Sequence, residues 1–213
     1  MQLAPTDRTR VRRLAERGSF DAGLINAIVD EALICHVGFA VDGCPWVVPT
    51  IHARIDDRLY LHGAPANHML RSIDEGVEAC VTITLIDGLV LARSAFHHSI
   101  NYRSAMIFGA AHAVTDDDEK RAALGALVEH VVPGRSVDAR PPTDAEMRKT
   151  LVLRLPITEA SAKVRTGGPI DDTEDLSMPV WAGVVPCAIE FGTPVADDGI
   201  MAALPGYVRG YRR

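Results

Sequence analysis

The chain has 213 residues, with 22 Lys+Arg against 28 Asp+Glu and a formal net charge of −6. That length suits one large domain, and 47% hydrophobic with 23% charged residues excludes a disordered chain and gives no basic footprint for nucleic acid. The longest apolar runs, such as 81–85 and 105–111, fall far short of the ~20 residues of a membrane helix, and the polar, arginine-rich start lacks a signal-peptide core.

Residues 1–20, with Arg8, Arg10, Arg12, Arg13 and Arg17, read as a basic N-terminal arm, leaving 21–213 as a single domain. Asp21 is placed to cap a helix over 22–33, in which Leu24, Ile25, Ile28 and Val29 recur at helical spacing. A strand over 34–41 ends at Asp42-Gly43, a tight-turn dipeptide. Strands over 46–55 and 58–62, joined at Asp56-Asp57, complete a meander. A short helix over 67–75 stops at Gly76. The alternation over 77–86 predicts a strand, with a hairpin turn at Asp87-Gly88, a return strand over 89–94 and another over 104–114. Four acidic residues at 116–119 open a helix to about 131, with Leu124, Leu127, Val128 and Val131 as its apolar stripe. Thr143-Asp-Ala-Glu is a capping box, and 150–155 reads as a strand.

Beyond residue 159 the chain is rich in Gly and Pro and is expected to wrap its own surface or a neighbour. Trp181, Val184, Val185, Ile189 and Phe191 there carry more apolar surface than a free tail should expose, which predicts a homodimer. Antiparallel strands with peripheral helices, and no β-α-β alternation, predict an α+β closed or split β-barrel.

The chain has no phosphate-binding P-loop, no Gly-x-Gly-x-x-Gly, no His-Glu-x-x-His and no Gly-x-Ser-x-Gly. Cys35, Cys44, Cys80 and Cys187 form no Cys-x-x-Cys pair, so neither a zinc site nor a redox dithiol is indicated, and free thiols suit a cytoplasmic protein. Three polar clusters stand out. Arg93-Ser-Ala-Phe-His-His-Ser-Ile-Asn-Tyr-Arg-Ser104 packs two Arg, two His, an Asn and a Tyr between apolar strands. An extended chain would turn His97 and His98 to opposite faces. Lys163-Val-Arg165-Thr-Gly-Gly168 sets two cations on one side beside permissive glycines. Tyr60-Leu-His62-Gly63 leads into a helix start at Asn67-His68, where free N–H groups suit an anion. No side chain is marked as a catalytic base, although His52 and His98 could supply a proton.

In chain order, Cys35-His-Val-Gly-Phe, Asp42-Gly, Val48-Pro-Thr, Leu59-Tyr-Leu-His-Gly63, Thr84 through Ser99, Asn101-Tyr-Arg-Ser104, Ser161-Ala-Lys-Val-Arg-Thr-Gly167 and Pro179-Val-Trp-Ala-Gly183 resemble the flavin-nucleotide-binding branch of the pyridoxamine 5′-phosphate oxidase-related superfamily. The resemblance implies an FMN-binding split barrel, usually a homodimer with two flavins at the subunit interface, acting on a small-molecule substrate. It implies that Pro49, Thr50 and Ile51 line the flavin ring, and that His62, Gly63, Asn67 and His68 hold the phosphate. It also implies that His98, Asn101, Arg103, Lys163, Arg165 and Trp181 lie close by. The chain departs from the pattern at the phosphate corner. Where such sequences read roughly Gly-Ser-x-x-x-Arg, this one has Ala64 and His68, and Arg71 is the cation positioned to compensate. The expectation is an FMN-dependent oxidoreductase. The alternatives are a haem- or deazaflavin-binding split barrel and a non-catalytic flavin binder. True pyridoxamine-phosphate oxidation is disfavoured, since a second phosphate site has no evident residues.

Overall fold

The computed structural model describes residues 1–212. Helix α1, Ala22–Glu31, starts where Asp21 accepts a hydrogen bond from Leu24 N at 2.9 Å, and it buries Ile25, Ile28 and Val29. Strands β2 (Ile34–Val41) and β3 (Cys44–Ile55) form a hairpin on Asp42 and Gly43, both at positive φ (50° and 75°), as a type I′ turn requires. Strand β4 is Arg58–Gly63 and helix α2 is His68–Asp74. Strand β5, Ala79–Leu91, is long and pairs with β6, Ser99–Gly109.

That pairing overturns the hairpin expected at Asp87-Gly88. The chain passes straight through with a bulge between Ile86 and Gly88, and reverses instead over 92–98 around a 3₁₀ turn, Ala95–His97. The dipeptide is there for other reasons. Asp87 receives the Arg103 guanidinium at 2.7 Å, and a Cβ on Gly88 would lie 2.9 Å from Val184 and 3.1 Å from the Val185 carbonyl. Gly88 thereby admits a strand from the C-terminal segment.

A two-residue strand β7, His112–Ala113, precedes α3, Asp117–Val131, and the short helices α4 (Arg135–Asp138) and α5 (Asp144–Arg148). Strands β8 (Leu151–Pro156) and β9 (Glu159–Arg165) follow, then β10 (Gly183–Pro186) and helix α6 (Gly206–Arg209). The expectation that everything after residue 159 is tail is therefore wrong at its start. β9 lies between β1, the two-residue strand Gly18–Ser19 of the N-terminal segment, and β6. Its core-facing residues are Ala160 and Ala162, both fully buried, and such small side chains do not look like a strand in the sequence. Beyond it the chain does wrap: β10 pairs with β5, and Tyr211 reaches back to the Val131 carbonyl at the end of α3.

The basic lead-in is docked. Arg8 bridges Glu78 and Glu159 and stacks over Phe108, with 5.2 Å to the ring centroid.

The ten-stranded antiparallel sheet embraces the main core, and a smaller cluster of Tyr60, Val114, Ala123 and Val152 lies apart from it. Leu59 and Leu61 of β4, Leu153 and Leu155 of β8, Ile107 of β6 and Ala162 of β9 meet the α1 residues in the main core, although they come from opposite ends of the strand order. The molecule is an α+β split barrel with peripheral helices. No helix among the described residues is long and apolar enough to cross a membrane.

Candidate cofactor site

Residues directly opposite on paired strands share a face. Ile34 faces Ile51, His36 faces Pro49 and Thr82, Gly38 faces Val47, and Thr82 faces Met106. Val47, Pro49 and Ile51 therefore point outward with Ile34 and Met106, and Val47 is 67% exposed. Thr50 lies on the inner side opposite Cys35, whose thiol is pushed up to about 12 by burial and so stays protonated. An apolar outer face on a central strand marks a surface made for a ligand or a partner.

At one end of that strand stands an aromatic group. Trp46 and Phe39 stack with centroids 6.4 Å apart, and the His68 ring sits 5.3 Å from Trp46 and 5.9 Å from Phe39. Asn67 caps α2 by accepting from Leu70 N at 3.1 Å. A Cβ on Gly63 would lie 2.9 Å from Leu70 Cδ1, so any larger residue there displaces that side chain. Arg71 points along the helix to Glu75 at 3.5 Å, an exposed i,i+4 pair that contributes roughly 0.3–0.5 kcal/mol. Among the described residues it is the cation that α2 brings to this corner, and only a weak contact holds it.

The remaining expected contacts are engaged within the chain. Arg103 donates to both Glu31 and Asp87. Buried Asn101 receives a hydrogen bond from buried Arg165, donates to the Gly167 carbonyl at 3.0 Å, and Arg165 also donates to the Gly168 carbonyl at 3.1 Å. Lys163 reaches the Arg13 carbonyl at 3.3 Å. Trp181 is 65% exposed and lies over Gly183. The segment around the histidine pair is a 3₁₀ turn rather than extended: His97 contacts Asp172 and His98 Nδ1 donates to the Ser94 carbonyl at 2.9 Å. His52 is fully buried and donates to the Val29 carbonyl at 2.8 Å, so it is no proton donor to a substrate.

Ile51 and His62 are brought together on one wall of a cavity of about 1020 Å³ between the sheet and α3. Sequence reasoning missed this space because Leu124, Leu127, Val128 and Val131 were read as one apolar stripe. All four line the cavity with Gly125, Leu127 as a buried part of its wall, while Leu124 also packs against the cluster of Tyr60, Val114, Ala123 and Val152. Burial lowers the pKa of His62, and its Nδ1 is enclosed without a hydrogen-bond partner. Arg121, Arg135 and Arg140 stand on the helical side. Arg121 bonds Asp144 at 2.8 Å and Arg140 bonds Glu146 at 2.6 Å. The glycine inside an otherwise apolar helical stripe was the one sequence signal that could have revealed the cavity. Among the described residues no group of three or more His, Cys, Asp or Glu side chains could hold a metal ion.

The family model described as pyridoxamine 5′-phosphate oxidase matches residues 21–164. The chain is similar to the structure of a flavocytochrome from Azotobacter vinelandii, at 37% identity over 99% of each chain and a TM-score of 0.91. It is similar to an FAD and haem binding protein from Mycobacterium smegmatis, at 36% identity over 91% of this chain and 96% of that one, TM-score 0.87. An FAD-binding protein from Mesorhizobium loti shares the fold at 16% identity, over 70% of this chain and 98% of that one, TM-score 0.50. A search of curated proteins returned no match.

Proposed function

Because the chain belongs to the pyridoxamine 5′-phosphate oxidase family, we propose that it is a flavin-dependent redox protein acting on a small molecule as a homodimer in a reducing, cytoplasmic setting. The observation that carries the reading is the uncovered apolar face of β3, with Val47, Pro49 and Ile51 beside the corner of Gly63, Asn67 and His68. A flavin ring fits such a face. Its anionic arm fits less well, because His68 is occupied by Trp46 and Phe39 and Asn67 by its own helix. Arg71 would hold the phosphate by releasing Glu75, a small cost for so exposed a pair.

When bound, the flavin supplies the electron transfer that no side chain here can perform. The chain's own task is to orient the ring on β3 and to exclude water with a second subunit. FMN is the form that the family resemblance implies; FAD is the form named for the neighbours from Mycobacterium smegmatis and Mesorhizobium loti. The four free cysteines, none paired, agree with the reducing setting.

A second reading adds haem to the flavin. It is supported by the weak cation supply at the phosphate corner and by the flavocytochrome and the FAD and haem binding protein, both more than a third identical to this chain. The absorption spectrum of the purified protein tests both. Flavin bands that bleach on adding an electron donor support the first reading, and an additional Soret band the second. A colourless protein that takes up neither FMN nor FAD on reconstitution overturns both.

A further inference from the structure

We infer that the cavity between α3 and the β3–β4 strands is a second binding site, built for a planar, largely apolar anion: a ring system bearing a carboxylate or phosphate arm. It deepens the cofactor readings above and rests on them, and the cavity shares Ile51 with the outer face of β3 that carries the flavin reading.

Three independent features point to it. The first is Gly125. Glycine is the least favourable residue after proline inside a helix, and here it sits in the middle of α3 on the cavity wall. Packing does not demand it, since a Cβ added at Gly125 would meet nothing within 4 Å. Neighbouring Leu124 and Val128 present an apolar stripe to the same empty space. A helix that keeps a flat, bare patch between apolar side chains is shaped for the close approach of a ring.

The second feature is His62. The ring is half-buried on the cavity wall, with its Nδ1 enclosed by the protein itself. Burial keeps the imidazole neutral near pH 7, so the wall carries no charge there that would favour water over an aromatic ligand.

The third is Arg135. Of the three arginines around the cavity, Arg121 and Arg140 are paired with carboxylates. Arg135 is bonded, among the described residues, to the neutral hydroxyl of Tyr207 at 3.2 Å, and Tyr207 in turn donates to Asp138. Its guanidinium is available for the anionic arm. A volume of about 1020 Å³ accommodates a whole prosthetic group. A porphyrin carboxylate and a flavin phosphate share this chemistry.

The test titrates the full-length protein with haemin and, separately, with FMN, following the Soret band and the quenching of flavin fluorescence. Gly125→Phe puts a ring into the space, where its Cβ meets nothing within 4 Å, and should melt no lower than the parent. Arg135→Glu reverses the charge at an exposed position and keeps the cavity open. The site predicts that one of the two ligands loses at least tenfold in affinity in both variants. Loss confined to haemin identifies a porphyrin site, and loss confined to FMN identifies a flavin site. Undiminished binding of both ligands in both folded variants overturns the assignment, as does a parent protein that binds neither. FMN binding that is lost in Arg71→Ala but kept in Gly125→Phe leaves the flavin reading standing by itself. Loss of FMN in Gly125→Phe but not in Arg71→Ala removes the corner from the flavin reading and supports the cavity.

Discussion

The rings of His52 and His130 meet at a tilt of 52° with centroids 4.6 Å apart, and each donates its Nε2–H to a carbonyl at the end of α1: His52 to Val29 at 2.8 Å and His130 to Ala32 at 2.7 Å. A carbonyl only accepts, so both tautomers are set by these bonds. The last carbonyls of a helix have no intrahelical partner, and here β3 and α3 supply it. The pair thereby ties α1, β3 and α3 into one unit around the cavity.

Replacing His52 by Phe preserves the ring but leaves a buried carbonyl without its donor. The expected loss is about 1–3 kcal/mol, read from urea denaturation midpoints at constant slope. A variant as stable as the parent would show that the Val29 carbonyl finds another donor.

Stability should fall on mild acidification because of His62. Burial holds its folded value below the ordinary one of about 6.5. Between those two values the unfolded chain binds a proton that the folded chain does not. The contribution is thus fully present above pH ~6.5 and is lost as pH drops through the window down to the lowered value. His62→Phe should flatten that part of a stability–pH profile, and an unchanged slope would assign the effect to other groups.

Arg71→Ala should weaken FMN binding by ~1.5–3 kcal/mol, the range for a hydrogen bond to a charged group. The ion pair it gives up is exposed and weak, so the variant should melt within a degree or two of the parent. Equal FMN affinity would mean that the phosphate lies elsewhere.

His68→Arg should strengthen flavin binding. A guanidinium can stack on Trp46 where the imidazole now sits and still present its fork to a phosphate. In the absence of flavin, the added cation at the start of α2 costs ~0.3–1 kcal/mol. Thermal melts with and without FMN should show a larger flavin-induced shift than in the parent. A smaller shift would count against the corner.

Val47 is the most exposed of the outward apolar residues of β3. If that face meets a second copy, Val47→Glu places two carboxylates in the interface and should give a monomer by sedimentation, with an unchanged melting profile for the isolated chain. A dimer of undiminished affinity would move the interface to another surface.

The local signals were strong where chemistry acts over a few residues. Asp21 and Thr143 cap the helices at which they were expected to do so, and Asp42-Gly43 makes its hairpin. The same logic failed at Asp87-Gly88, an identical dipeptide. There the glycine answers to a strand about a hundred residues away and the carboxylate to Arg103. Likewise β9 was illegible because its inward side chains are alanines, small since the barrel closes tightly on them.

By itself the sequence determined what depends on neighbouring residues and on ordered motifs: α+β class, antiparallel pairing, the family resemblance and a corner that lacks its usual cation. The tertiary structure alone decided which apolar stripe is core and which is cavity, because a helical period records that one side of α3 is apolar and not what stands opposite it. It also decided that Arg103, Asn101 and Arg165 are held by the chain itself, while Gly125, His62 and Arg135, scattered over more than seventy positions, share one space. Side-chain partners across such separations are set by how the sheet curls around its core, and no local pattern carries that information.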